Sequence, residues 1–387
     1  MRTSKQACSS ANDLKRAIVL SAMMLAAVSC QSQEYKVLYR FSSKDGSFPQ
    51  ARLILGSKGS AYGTTMTGGQ NGAGTIFKLS SAKKAIYSIP GFSGDNPTAY
   101  PLRGLVQDSA GNLYGTTAMG GSFGSGAVFK LDSKGNETTL HSFSAGNDGD
   151  EPQSALLRDS AGNLYGTTVL GGKANLGTVF KIDPQGNETI THSFSGGPDG
   201  EYPYTGVAGS PAGYIVGVTG GDGTTNWGNV FRIDSAGKYT SLYNFTGGPD
   251  GGQPMGALTM DGAGNLYGTT ESGGTFLNGT VFKLDIAGTE TVLYSFRGGV
   301  DGAQPQSSLV RDAAGNLFGT TVFGGASNMG TIFEIDSNGV EKVLHSFTGG
   351  TDGQYPYAGL VRDLAGNLYG TTSEGGANYG TIFVVTR

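Results

Sequence analysis

The chain has 387 residues, a formal charge of −4 and 68 glycines, more than twice the ordinary glycine usage of roughly 7%. Mild acidity argues against a nucleic-acid surface or a polybasic membrane patch. The glycines fall at fixed places between Val, Ile, Phe and Tyr, which excludes a disordered or collagen-like chain and reads as turn punctuation in an all-β protein.

The first 29 residues differ from the rest. Lys5, Lys15 and Arg16 precede an apolar run from Ala17 to Val28 that is too short to span a bilayer and is followed by small and polar residues. This is the shape of a secretory signal, so residues 1–29 are expected to be a signal peptide. The segment ends Ala27-Val-Ser-Cys30, which resembles the lipobox of bacterial lipoprotein signals, with Ala27 where that pattern carries Leu. Of the two cysteines, Cys8 lies in the segment to be removed, and an exported chain with Cys30 as its one thiol is explained by acylation. Cleavage without a lipid and a retained N-terminal anchor are the competing readings. The resemblance implies more than one apolar tail on Cys30, enough for stable anchoring. Removal leaves 22 basic and 29 acidic residues, a formal charge of −7, and no possible disulfide. Residues 30–34 become a short tether and residues 35–387 the folded domain.

That domain is periodic. Phe41, Phe92, Phe143, Phe194, Phe245, Phe296 and Phe347 are each 51 residues apart. A second marker, Gly-Asn-Leu-Tyr-Gly-Thr-Thr, carries its aromatic at Tyr62, Tyr114, Tyr165, Tyr267, Phe318 and Tyr369, with Val216 in the degenerate fourth copy. A fixed period of this size means a solenoid, propeller or array. Within one copy the pattern predicts four short strands: 153–159, 164–168, 177–183 and 188–194. They are joined by an Asp-x-x-Gly turn, a Gly-rich loop and a second tight turn. Four antiparallel strands per unit make a propeller blade.

The last copy stops after its third strand, Gly380 to Val385, and the mature chain begins with an orphan fourth strand, Tyr35 to Phe41. Together they complete one blade, which predicts a seven-bladed β-propeller closed by the N-terminal strand, with no unfinished sheet edge. Pro90 lies in a fourth strand, and proline is tolerated mainly at sheet edges. The fourth strand is therefore placed outermost and the first at the central channel. The tight turns then share one face, and the Gly-rich loops share the other with the links between blades. If Cys30 is acylated, the tight-turn face lies next to the membrane.

Asp-x-x-Gly-Asn-Leu-Tyr-Gly-Thr-Thr, then Gly-Thr-Val-Phe-Lys-Leu-Asp and Leu-His-Ser-Phe, resembles the GloVer tandem repeat of choice-of-anchor bacterial surface proteins, over about residues 35 to 387. The resemblance implies an exported bacterial protein attached through one of several anchors, and brings no biochemical activity with it. Copy four (Ala212 to Thr219) and copy one (Gly56 to Tyr62) depart most from the pattern.

Repeat-periodic residues read as structural first. Asp148, Asp199, Asp250, Asp301 and Asp352 precede Gly in the links, and Asp108, Asp159, Asp261, Asp312 and Asp363 open the inner turns. Their spacing matches no calcium loop, so no metal or other cofactor is assigned. His141, His192 and His345 share a slot with Tyr39, Tyr243 and Tyr294, which marks a packing or hydrogen-bonding position. No nucleophile elbow, zinc motif or phosphate loop is present, so no catalytic residue is assigned. Residues that break the repeat say more. On the outward loops these are Phe123, Asn226, Trp227, Phe276, Met329 and Tyr379, either capping their blades or forming an aromatic and amide-rich ligand surface. Acidic residues outside the periodic slots, Asp150, Glu151, Glu201, Asp222, Glu271 and Glu374, fall on the same face. The expectation is an exported, lipid-anchored, noncatalytic binding or scaffold propeller facing the periplasm or cell surface. Extracellular glycan or a surface protein is its partner. The alternative is a propeller hydrolase or lyase acting on extracellular polysaccharide.

Overall fold

A computed structural model describes residues 33–56, 59–70, 72–80, 86–89, 100–221 and 225–387. The signal segment, Cys30, Pro90, Phe92 and Asp222 lie outside them. The described chain forms seven four-stranded antiparallel sheets in a ring. Its described helices are single 3-10 turns at Gly146–Asp148 and Gly197–Asp199, and none of the described helices is long and apolar enough to cross a membrane.

Blade 3 shows the plan. Its strands are Leu157–Arg158, Leu164–Thr168, Thr178–Ile182 and Glu188–Ser193, paired in sequence order. The last three match the sequence expectation to within a residue. The first is much shorter than the expected 153–159, because only Leu157 and Arg158 pair with the second strand. Residues just before them run along the axis, where neighbouring blades take their carbonyls instead. Arg103 Nε donates to Gln153 O at 3.1 Å, and Thr116 Oγ1 to Ser154 O at 2.8 Å.

The core lies between blades. Phe143, at the end of the fourth strand of blade 2, is fully buried and packs edge-on against Phe180 of blade 3, ring centroids 5.1 Å apart. Tyr114 and Val128 join it from blade 2, and Leu156, Leu164 and Ile182 from blade 3. The 51-residue spacing of the phenylalanines is thus the spacing of blade junctions. A ring of offset aromatic pairs adds specific geometry to the apolar area it buries.

Closure follows the expected route. Glu34–Arg40 pairs antiparallel with Thr381–Thr386, completing blade 7 with Val361–Arg362 and Leu368–Thr372. Phe41 then packs on Phe77 of blade 1 at 5.1 Å. Thr371 Oγ1 donates to Pro49 O at 3.0 Å and Arg52 Nε to Leu360 O at 2.9 Å across the same seam.

Candidate functional site

The links and the Gly-rich loops do share a face. Asp150 pairs with Leu170, Glu201 with Gly221 and Gln354 with Glu374 in isolated bridges between link and loop. On this face the chain enters each blade through a buried proline, and the residue before it is the unusual one. Phe48, Tyr100, Glu151, Tyr202, Gln253, Gln304 and Tyr355 are all left-handed, with φ between 45° and 56°. Proline normally keeps its predecessor extended, and a left-handed residue other than glycine costs about 1–3 kcal/mol.

Backbone bonding accounts for the conformation. The N–H of Tyr355 donates to Met329 O of the preceding blade at 3.0 Å, and its carbonyl accepts from Ser373 of its own blade at 3.1 Å. The other copies repeat both bonds. Nothing in that bonding requires a side chain, and glycine would fill the slot without strain. A chain with 68 glycines places none in any of the seven copies. The slot instead carries aromatic, amide or carboxylate groups, all half-buried.

The residues after the prolines form a second, inner ring. Gln50, Met255, Gln306 and Tyr357 from this ring join Arg103 around a cavity of about 300 Å³ at the channel mouth. Beneath it is a narrower space of about 110 Å³ between Gly104, Ala155, Gly206, Ala257 and Gly359, with Arg52 and Arg103 in its wall.

Four of the irregular acidic residues gather here. Burial raises the Tyr357 phenol above its ordinary value, and the charges of Glu374, Tyr355 and Glu271 raise it further. Tyr204 is raised by burial and then by Tyr202, Glu151 and Glu201. Glu271 is itself raised by burial, with a hydrogen bond from Gln306 acting the other way. Glu271 and Glu374, two copies apart in sequence, therefore both bear on Tyr357. Gln354 Nε2 donates to Glu374 at 2.8 Å and Gln153 Nε2 to Glu151 at 3.0 Å.

The residues singled out from sequence lie on the loops around this mouth and are absent from its lining. Phe123 and Phe276 are 66% and 47% exposed, and the guanidinium of Arg297 sits 5.7 Å over the Phe276 ring. Trp227, Met329 and Tyr379 are half-buried against the junction clusters, and the Trp227 ring covers Gly247 and Gly252 of the next link. Asn226 is exposed and left-handed, φ 62°. Their backbone carbonyls help form the mouth, since those of Trp227, Met329 and Tyr379 accept from Gln253, Tyr355 and Phe48. The sequence signal for the mouth was the proline that opens each blade, preceded in all seven copies by a residue other than glycine and followed in four of them by the lining residues Gln50, Met255, Gln306 and Tyr357.

The link aspartates do more than turn the chain. Asp199 accepts from the Ser195 N–H at 2.7 Å, the Ser195 hydroxyl at 2.9 Å and His192 Nε2 at 2.9 Å. Tyr243 and Tyr294 bond Asp250 and Asp301 in the same way, which explains why His and Tyr alternate there. At the junction of blades 2 and 3, ligand atoms of His141, Asp148 and Glu188 lie within 4.8 Å of one another. Glu188, Glu290 and Glu341 are equivalent in sequence. Each has a buried Oε1 without a hydrogen-bond partner, and burial followed by the facing link aspartate lifts each to about 7.

Fold and mouth together define the class, a closed β-propeller of tandem blades with a polar and aromatic pit on its axis. The chain belongs to the Gloeobacter/Verrucomicrobia repeat family, whose pattern it matches over residues 24–224 and 189–383. No curated protein matches it. Among solved structures it is similar to the extracellular domain of the hybrid two component system BT3049 from B. thetaiotaomicron, at 13% identity and TM-score 0.59, covering 92% of this chain and 41% of that one. The extracellular domain of BT4673 from the same organism gives 10% identity and TM-score 0.61, covering 90% of this chain and 39% of that one. The chain thus spans about two-fifths of each, and at these identities the likeness is one of fold.

Proposed function

We propose that this protein is an exported, noncatalytic binding propeller, tethered by lipid at Cys30, that recognises extracellular glycan at the channel mouth of its long-loop face. The observation that carries the reading is the pit at the mouth, where Gln50, Met255, Gln306 and Tyr357 surround a cavity of about 300 Å³, each two residues after a strained pre-proline residue. Strain kept in every copy goes with side chains that have work to do. Aromatic faces beside amide and carboxylate groups suit the apolar faces and hydroxyls of sugar rings. The two solved relatives are described as extracellular domains, which agrees with an exported propeller. Residues 1–29 would be the signal and residues 30–34 the tether, placing the tight-turn face against the membrane and the pit outward.

A glycan array tests the binding. Tyr357→Ala and Tyr204→Ala should each remove most of the signal, and Trp227→Ala should leave the pit's share intact. An array with no binder would defeat the reading. Metabolic acyl labelling tests the tether: label should enter the wild type and be absent from Cys30→Ser. The second reading, a polysaccharide hydrolase or lyase, draws on one observation, the raised Glu271 sharing Tyr357 with Glu374. The raised phenol of Tyr357 makes it a poor base at neutral pH. Turnover of any bound polysaccharide, lost in Glu271→Gln with binding kept, would replace the noncatalytic reading.

A further inference from the structure

We propose that the pit takes the anionic group of an acidic sugar chain, a carboxylate or a sulfate, between the guanidinium groups of Arg52 and Arg103. This rests on the glycan reading above and names the chemical class of ligand within it.

The repeat itself marks the two arginines. Each copy passes the channel with the second and third residues after its link proline, and twelve of these fourteen positions are Gly, Ala, Ser or Thr. Small residues are needed there, because the blades approach so closely that a Cβ on Gly206 would collide with the backbone of Ala155. The two exceptions are Arg52 of blade 1 and Arg103 of blade 2, neighbours in the ring and both in the wall of the inner space. Each ties a neighbouring blade through Nε alone, which leaves the rest of its guanidinium without a part in the fold.

Their surroundings point to a missing partner. Each guanidinium is pinned at Nε, Arg52 to Leu360 O at 2.9 Å and Arg103 to Gln153 O at 3.1 Å. Among the described residues neither makes another hydrogen bond or an ion pair. Arg52 is exposed at the lumen and Arg103 is half-buried, and desolvation by the nearby protein lowers the pKa of both, with no carboxylate among the described residues acting in opposition. A crowded cation without a countercharge is unfavourable, and a ligand anion supplies the countercharge. With Nε held, the free Nη groups present the planar donor edge that pairs with two oxygens of one anion.

The rest of the pit sets limits on the ligand. Its volume of about 300 Å³ lies at the low end of the roughly 300–1,000 Å³ of small-molecule sites, room for the end of a chain. Gln50, Gln306 and Tyr357 offer hydroxyl partners around it. Glu271 and Glu374 stand beside Tyr357 and would repel a second acidic unit. A single charged end on an otherwise neutral chain fits best.

Calorimetric titration of the processed chain tests this with three probes of equal length: a neutral oligosaccharide, one ending in a uronic acid and one ending in a sulfated sugar. At least one acidic probe should bind about tenfold or more tightly than the neutral one, and added salt should erode that advantage in the wild type. The double variant Arg52→Met/Arg103→Met should bind all three alike. Because both Nε groups tie blades together, its melting is measured beside it, and Arg103→Lys, which keeps the charge, should retain part of the preference. Equal binding of neutral and acidic probes by the wild type, or a preference that survives in a natively melting double variant, overturns the proposal and leaves glycan binding standing. Failure of every sugar to bind removes the glycan reading, and this one with it.

Discussion

A glycine sits in the middle of every second strand because an aromatic ring occupies the place of its side chain. A Cβ at Gly63, Gly115, Gly166, Gly217, Gly268, Gly319 or Gly370 would lie 2.5–2.6 Å from the tip of the third-strand phenylalanine of the same blade. Glycine in a strand is otherwise a liability, so its place in Leu-Tyr-Gly-Thr-Thr reflects packing. Gly268→Ala should therefore destabilise the protein by about 1–3 kcal/mol, as overpacked cores do. Gly262→Ala, at a turn with open space and ordinary φ, should be neutral or stabilising by about 0.4–1 kcal/mol. Thermal melting of the two variants separates a packing glycine from a turn glycine, and equal losses would refute the distinction. The motif was legible in the sequence, but its cause was not. A ring that crosses from the next strand leaves no mark on the glycine it covers. For the same reason the irregular loop residues drew notice while the pre-proline ring did not. Aromatic and polar side chains are mixed in that ring as they would be on any surface, and only the backbone angle shows what they cost.

Between residues and ring stands the blade, and what joins one blade to the next is a threonine. The first Thr of each Thr-Thr pair lies one residue before the end of a second strand and reaches into the following blade. Thr167 Oγ1 donates to Pro203 O at 3.0 Å and to Thr205 O at 2.9 Å, Thr320 reaches Pro356 O and Ala358 O in the same way, and Thr269 donates to Ser307 O. The second Thr stays within its blade, where Thr168 and Thr178 share a hydroxyl contact of 2.8 Å. Copy four replaces the joining threonine with Val218, fully buried in the cluster between blades 4 and 5, so there a hydrophobic contact takes over from the hydrogen bond. Thr167→Val keeps the shape and strands two buried carbonyls, which should cost about 1–3 kcal/mol. Denaturant melts would show it as a lower midpoint with an unchanged slope, and an unchanged midpoint would mean that the joint carries no stability. Strands two to four were legible because period-2 alternation and tight turns bound them. The first strand was overextended because its apolar residues pack at the axis and pair for only two residues, and burial by crowding looks the same in sequence as burial by pairing.

Seen as one ring, the described residues repeat a largely half-buried carboxylate pair at three junctions. Glu188 faces Asp148 and His141, Glu290 faces Asp250 and Tyr243, and Glu341 faces Asp301 and Tyr294, with Arg297 opposing. Each glutamate titrates at about 7 in the folded ring against an ordinary 4.5, so the folded state binds protons that the unfolded chain releases. By linkage, stability from this source is complete below about pH 4.5 and is lost as pH rises through about 7. Asp199 and Asp352, where burial pushes up but hydrogen bonds and charge from the histidines and nearby N–H and hydroxyl groups hold the net value below the ordinary 3.8, act in the opposite sense and only in stronger acid. The wild type should therefore melt at a lower temperature at pH 8 than at pH 5.5, once both values are compared with the triple variant Glu188→Gln/Glu290→Gln/Glu341→Gln. An amide cannot ionise, so the variant should gain stability at pH 8 and show a flatter profile across the window. The closed topology sharpens the contrast: with Glu34–Arg40 locked into blade 7 no end of the ring can relax alone, so repulsion at three junctions adds into one cooperative transition. A profile that stays as steep in the triple variant would place the proton uptake elsewhere and leave the buried Oε1 atoms to another partner.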